Sequence, residues 1–424
     1  MVQTLKKKLY FIVANYFRFF ARFVLERWQP QIIVVTGSNG KTTLLHLIES
    51  QLKDQAIYSH KANSAFGVPF HILGLERKTL AKSEWLGLFI KAPIRAFRKT
   101  PKQDIYIVEV DCDRPNEGKF LGELLRPEIT LWVSSDLTHS MNYDSQVNDK
   151  TFDSLELAIA HEFGWLVQTT QKLVILKDEQ RMTDQLNRTQ ARSKTISLDQ
   201  LKTYKLTKTK SIFETQKGNI YTLPEIMPKV SFIQIGMTHM LMKLLNKDFD
   251  PEFIDYKQPP GRSSVLKAKN GATLFDSSYN ANLASVEAAL TTFAAYPGKD
   301  KWAVVGDMIE LGQNEKQEHE KLADLIAREK FDHVVLMGPR VKKYTKPKLR
   351  KLLSKQTELV AFEEPKPVLD YLQQELTGKE VVFFKGARYL EGVIKNLLAD
   401  PKDAEKLCRQ EEHYQQVRKN WFVG

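Results

Sequence analysis

The chain has 424 residues, 42% of them apolar and 27% charged. That is an ordinary globular composition, and it excludes disordered, collagen-like and disulfide-stapled chains. At ~150 residues per domain the length predicts two or three domains. Lys and Arg number 63 against 51 Asp and Glu, a net +12 that suits polyanions: nucleotides, nucleic acid or anionic lipid. Cys112 and Cys408 form neither a disulfide framework nor a ligand cluster, which predicts a reducing, cytoplasmic setting.

Residues 1–30 begin basic and continue apolar. Arg18 and Arg22 interrupt the run and no small-residue cleavage site follows, so it is neither a signal peptide nor a clean span. On a helix, Lys8, Asn15, Arg18 and Arg22 share a narrow side, and Leu5, Leu9, Ile12, Tyr16, Phe19, Phe20 and Phe23 spread over a wide apolar one. Six Lys and Arg against one Glu is the pattern of a helix lying in a membrane interface. A helix that packs on its own protein or on a partner subunit has the same periodicity. Residues 85–102 repeat the basic and aromatic mixture.

Ile32 to Val35 read as a buried parallel strand, and Gly37 and Gly40 allow the turn after it. From Thr42 a helix follows with Leu44, Leu47, Ile48 and Leu52 on one face. Strand, glycine turn and helix N-terminus aim backbone N–H groups at phosphate oxygens. Lys41 would reach the β/γ-phosphates of a nucleotide and the Thr42 hydroxyl would bind Mg²⁺. The next strand, 105–110, carries Glu109 near its carboxyl end, where a buried acid is costly unless it meets a cation. A third strand, 130–133, leads to His139 at the sheet edge where α/β proteins bind ligands.

These segments together resemble the Mur ligase family, ATP-dependent enzymes that add amino acids or dipeptides to peptidoglycan precursors. TGSNGKTT at 36–43 is similar to its phosphate loop, with Gly37, Ser38, Asn39, Gly40, Lys41, Thr42 and Thr43 on the nucleotide. NSAFGVP at 63–69 and VEVDCDRPNEG at 108–118 resemble two further family segments, the second placing Glu109 at the magnesium-binding glutamate. SSDLTH at 134–139 is a loose form of the run that ends in the metal-binding histidine, here His139. PPGR at 259–262, FDSSYNANLASVEAAL at 275–290, VVGDMIELG at 304–312 and FKGAR at 384–388 resemble the carboxyl-terminal motifs. Asn280 and Asn282 could read an adenine edge or ribose. Arg262, Lys385 and Arg388 could neutralise phosphates when a hinged second domain closes, although Arg262 also suits a solvated linker.

The chain also departs from the family. Only 30 residues precede the first strand, and they cannot build the UDP-sugar-binding domain that family members normally carry. His161 falls where the family has a lysine that is carbamylated to hold a second magnesium; imidazole can bind metal itself, or be a plain helix residue. GMTHM replaces the usual G-x-H-N, and Ser277 stands in place of the second aspartate.

The expected architecture is α/β. Residues 1–30 form a basic amphipathic helix, 31–258 a P-loop-type ATP-binding domain with a parallel sheet, and 259–424 a Rossmann-like domain. A small antiparallel excursion is expected near 180–230. The resemblance implies a ligase that forms an amide through an acyl phosphate and uses ATP and Mg²⁺. Lys41, Glu109 and His139 would be catalytic, and Thr42, Glu109, His139 and His161 would hold metal. Its partners would be a cell-wall carboxylate, lipid-linked in one version, and an amino acid, dipeptide or ammonia. A membrane surface met by residues 1–30, at the inner face of the membrane, and a partner subunit complete the expectation. A ligase for a soluble non-peptidoglycan acid and a catalytically weak scaffold are the alternatives. No nucleic-acid partner is expected, because no helicase-type or RNA-binding motif is present.

Overall fold

The structure is a computed structural model that describes residues 2–60, 62–77, 83–387, 389–411, 414–416 and 418, with 2–8 by their backbone alone. Two compact units divide the chain: Met1–Leu198 with Ile233–Asp250, and Asp199–Phe232 with Pro251–Gly424. The first unit thus takes in residues 1–30, and the stretch 199–232 goes with the second.

The first unit is built on six parallel strands: β1 (Gln31–Thr36), β2 (Ala56–Tyr58), β3 (Ile105–Val110), β4 (Ile129–Trp132), β5 (Leu173–Lys177) and β6 (Arg192–Ile196). Their order is β2-β3-β1-β4-β5-β6, so β1 lies between β3 and β4. Side chains alternate across the sheet, as the pleat requires. Ile32, Val34, Tyr106, Val108 and Trp132 face one layer of helices. It contains α1 (Val2–Trp28), α3 (Gly67–Leu73), α4 (Glu84–Ala96), α5 (Glu117–Leu125) and α7 (Leu155–Thr169). Ile33, Val35, Ile107, Leu131 and Ile175 face the other layer, α2 (Lys41–Leu52) and α9 (Phe232–Leu244). Two short helices, α6 (Asp144–Asn148) and α8 (Gln180–Thr183), fill connections.

The sequence's wide apolar face is not the face that α1 buries. Ala14, Phe17, Ala21 and Val24, at helical spacing, are closed off from water, and Leu25 is buried beside them. Phe17 meets Phe70 at 4.8 Å and Phe89 at 5.2 Å between ring centroids. Leu9, Ile12 and Phe19, on the wide face, are 56%, 65% and 70% exposed. Among the described residues no helix is long and apolar enough to cross a membrane.

In the second unit an antiparallel sheet of β7 (Leu201–Leu206), β8 (Ser211–Thr215) and β9 (Ile220–Leu223) supplies the expected excursion. The main sheet has the order β10-β11-β15-β12-β13-β14. Its strands are β10 (Ser264–Lys267), β11 (Thr273–Asp276), β12 (Lys301–Gly306), β13 (His333–Met337), β14 (Glu358–Phe362) and β15 (Val381–Lys385). Only β10 runs antiparallel to its neighbour. The strand connections contain α10 (Leu283–Ala295), α11 (Glu315–Arg328), α12 (Lys346–Leu352) and α13 (Pro365–Glu375), and α14 (Leu390–Leu397) follows β15. Both units are the expected α/β folds with buried parallel strands.

Phe17→Ala should cost about 3–5 kcal/mol of stability, since it opens a cavity among packed rings. Phe19→Ala should stay within ~0.5 kcal/mol. Urea unfolding of both variants checks this, and similar losses would contradict the assignment of the buried face.

Candidate active site

Strand order decides where the chemistry can gather. With β1 between β3 and β4, the segments leaving the carboxyl ends of all three strands lie side by side, where open α/β sheets hold ligands. The first segment is the glycine turn. Gly37 has φ +134°, and a Cβ there would stand 2.8 Å from the Ser134 amide nitrogen. Gly40 precedes α2 with φ +82°, and its missing Cβ leaves room for Gln234. Both positions need glycine.

The turn is stitched to the segment after β4. Ser38 N–H donates to Ser134 O at 3.1 Å, and Asn39 N–H donates to Ser134 Oγ at 2.8 Å. The Asn39 amide donates to Asp136 at 2.8 Å, and Asp136 N–H donates to Ser38 Oγ at 2.7 Å. Ser134 and Asp136 were not singled out from the sequence, although the polar SSD after a buried strand is the signal for such a brace.

Lys41 opens α2 and is buried. Its ammonium donates to Gly37 O at 2.6 Å and pairs with Asp111 at 2.7 Å. Burial alone would depress this lysine; the Asp111 and Glu109 carboxylates outweigh it and hold its pKa above the ordinary value. Thr42 and Thr43 follow in the first turn of α2.

Glu109 sits in β3 opposite Val35, and the Asn63 amide donates to it at 3.3 Å. The cluster that the fold assembles, however, centres two and four residues further on. One ligand atom each from Asp111, Asp113 and His139 lies within 4.8 Å of the others. His139 Nε2 is 3.2 Å from Asp113 Oδ1. Burial, with the Asp111 charge next, pushes the Asp113 carboxyl up, and a cation between the two acids would relieve that repulsion. Two carboxylates and an imidazole, with Glu109 close by, fit a hard divalent cation such as Mg²⁺. The signal for Asp111 and Asp113 was the D-x-D in VEVDCD.

His161 does not join this group. Its ring lies against Phe152 at 5.0 Å, and Arg188 donates to its carbonyl at 2.7 Å. Burial, then Arg188, lowers its pKa. A second group among the described residues, His46, Glu49 and His60, is more exposed. His239 of the GMTHM segment stacks on Phe249 at 4.4 Å.

The second unit gathers its own polar cluster at the carboxyl ends of β11 and β15. Lys385 is buried and donates to Asn280 O at 2.7 Å. Burial, and then the Arg262 charge, depress its pKa to about 7. Burial pushes neighbouring Asp276 up to about 6. Arg262 covers the Tyr279 ring at 4.5 Å. Asn282 proves to be the N-cap of α10: its side chain accepts from Ser285 N–H at 2.9 Å, and Ser285 Oγ accepts from Asn282 N–H at 3.1 Å. That capping box directs one lone pair of the Asn282 oxygen to the helix. Ser277 accepts from Ser263 N–H at 3.1 Å. Arg409, from a tail that gave no sequence signal, donates to the Tyr279 carbonyl. Arg388 lies outside the described residues.

Lys385 should make stability depend on pH. Unfolded, its amine holds a proton up to its ordinary value of 10.5; folded, only up to about 7. Between these values the unfolded chain binds more protons, so stability rises with pH across that window. Lys385→Met should flatten this rise in denaturant titrations from pH 7 to 10, and an unchanged slope would contradict the depressed pKa.

Residues 261–388 match the family model described as Mur ligase, glutamate ligase domain. The chain is 22% identical over 400 residues to the UDP-N-acetylmuramoyl-tripeptide–D-alanyl-D-alanine ligase of Bacillus subtilis, covering 90% of this chain and 79% of that one. The ligase of the same name from Haemophilus influenzae is 24% identical, covering 89% and 79%. Among solved structures, the MurF ligase of Thermotoga maritima in complex with ADP superposes with TM-score 0.70 at 20% identity, covering 96% of this chain and 84% of that one. FolC of Escherichia coli, in complex with DHPP and ADP, gives 0.57 at 14% identity, covering 87% and 89%. The matched segment, the relatives and the solved structures agree on one point: residues 261–388 carry the Mur ligase C-terminal domain, and the chain has the fold of the Mur ligases over most of its length.

Proposed function

We propose that the chain joins a carboxylate to an amine at the cost of ATP, through an acyl phosphate, in the making of a cell-wall precursor. The observation that carries this reading is the buried Lys41 at the N-terminus of α2, in contact with Asp111 beside Asp113 and His139. A carboxylate oxygen attacks the γ-phosphorus and ADP leaves. The amine then attacks the acyl carbon, phosphate leaves, and the nitrogen loses its proton. No side chain becomes covalently bound, so the protein's work is positioning and charge neutralisation. The α2 N-terminus and the Lys41 ammonium take the phosphate oxygens. Asp111, Asp113 and His139, with Glu109 nearby, would hold Mg²⁺, which would supply positive charge against the phosphate. In the second unit, Lys385, Arg262 and Asn280 form a cationic and polar cluster of the kind that suits an anion.

The names of the relatives support a muramoyl tripeptide as the carboxylate and D-alanyl-D-alanine as the amine. A lipid-linked form of the precursor, handled at the inner face of the membrane, is supported by the apolar and basic outer surface of α1 and α4. A second reading, a catalytically weak scaffold that works with a partner subunit, is favoured by His161, which stands apart from the acidic cluster, and by Ser277.

Phosphate release from Mg-ATP in the presence of UDP-N-acetylmuramoyl tripeptide and D-alanyl-D-alanine tests the proposal. Lys41→Met should lower turnover on the order of 10²-fold or more. His139→Ala should raise the Mg²⁺ concentration needed for half-maximal rate. Because Lys41→Met strands a buried Asp111, folding is followed separately by circular dichroism. A folded Lys41→Met protein with full turnover would overturn the phosphate-loop assignment, and absence of release with any carboxylate and amine pair, despite ADP binding, would favour the scaffold.

A further inference from the structure

The buried faces of α1 and α4 are each backed by an apolar stripe that points the other way. On α1 the stripe is Leu9, Ile12, Phe19 and Phe23, between 37% and 70% exposed. On α4 and the residue after it, Leu86, Ile90, Ile94 and Phe97 recur at helical spacing and are 58–72% exposed. The stripes meet where the Phe23 and Phe97 rings lie 5.3 Å apart. Tyr16 Oη donates to Phe89 O at 2.8 Å and Arg27 donates to Ala96 O at 2.8 Å, which fixes one helix against the other. The result is one preformed apolar face of eight large side chains, more than a soluble surface ordinarily leaves open.

We propose that this composite face docks on an anionic lipid bilayer. The occupant is argued from charge. Residues 2–28 and 83–102 contain eleven Lys and Arg against two Glu, a surplus of nine in a chain whose net charge is +12. Arg22, Lys91, Arg95 and Lys99 are exposed beside the stripes. Such a surplus repels a second copy of the same face and attracts a negatively charged lipid surface. Neither helix crosses the membrane; both lie in its interface, apolar stripes inward and basic residues at the headgroups. The face is also coupled to the candidate site. Tyr10 Oη donates to the buried Glu117 at 3.1 Å, Arg114 covers the Tyr10 ring at 3.9 Å, and Asp113 N–H donates to Glu117 at 3.2 Å. Docking therefore holds the acidic cluster at a fixed distance from the bilayer, where a lipid-borne carboxylate would arrive. That last step rests on the proposed ligase function; the docking itself does not.

Sedimentation of the full chain with vesicles tests the proposal without reference to turnover. The protein should pellet with phosphatidylcholine vesicles containing about 30% phosphatidylglycerol and stay in solution with pure phosphatidylcholine. A triple variant, Phe19→Ser with Ile94→Ser and Phe97→Ser, removes only exposed groups and should keep its thermal midpoint. Its partitioning should fall more than about tenfold. Failure of the parent to pellet with the anionic vesicles, or equal pelleting by the triple variant, would overturn the proposal. A concentration-dependent dimer that the triple variant abolishes would overturn it in favour of a second copy as occupant. None of these results bears on the ligase chemistry, which phosphate release reads separately.

Discussion

A lysine ammonium withdrawn from water must be answered by a carboxylate, and at Lys41 the answer is Asp111, 2.7 Å away. Much of the first unit is arranged so that this pair can exist. β3 runs beside β1, which brings Asp111 off one strand end to meet the helix that follows the other. Asp111 N–H donates to Asn63 O, and the Asn63 amide reaches Glu109, so the loop after β2 holds the acidic segment in place. Gly37 gives its carbonyl to the ammonium from a backbone conformation that a side chain would strain. Losing one member of such a pair leaves the other uncompensated, at a cost of about 3–5 kcal/mol. In the proposed reaction, a γ-phosphate reaching Lys41 would compete with Asp111 for it, and a divalent cation at Asp111 and Asp113 would offset that competition.

What the sequence made legible was local. Ile32 to Val35 form a strand because β-branched residues in an unbroken run fit a doubly covered sheet, and Gly37 and Gly40 mark the turn that only they can make. His139 was legible because it falls just beyond a strand that ends at Trp132. The cluster of Asp111, Asp113 and His139 was legible only in part. Glu109 drew attention as an acid inside an apolar strand, whereas Asp111 and Asp113 gain their meaning from His139, a partner in a segment that folding brings close. Asn282 carries a structural role beside the expected one: with Ser285, three residues on, it completes a capping box at the start of α10. That β7–β9 pack with the second unit rather than the first, and that Arg409 returns to the Tyr279 turn, are tertiary facts with no local signature.

The first helix shows what periodicity leaves open. α1 is apolar around most of its circumference, so its pattern fits a membrane interface as well as packing on its own protein. The fold buries the side with Ala14 and Ala21, because small residues let the helix approach α3 and α4 closely while Phe17 fills the space between their aromatic rings. The stripe left over is then explained by something other than folding. In the second unit, burial and the Arg262 charge depress the Lys385 pKa to about 7.

The most direct measurement of the central claim follows oxygen. With the substrate carboxylate labelled by ¹⁸O, an acyl phosphate requires one labelled oxygen to pass from the acid to the released phosphate, because the amine displaces the phosphate with that oxygen attached. The account predicts labelled phosphate, formed only when carboxylate, amine and Mg-ATP are all present. Unlabelled phosphate, formed whether or not the amine is present, would mean that water attacks ATP directly and would contradict it.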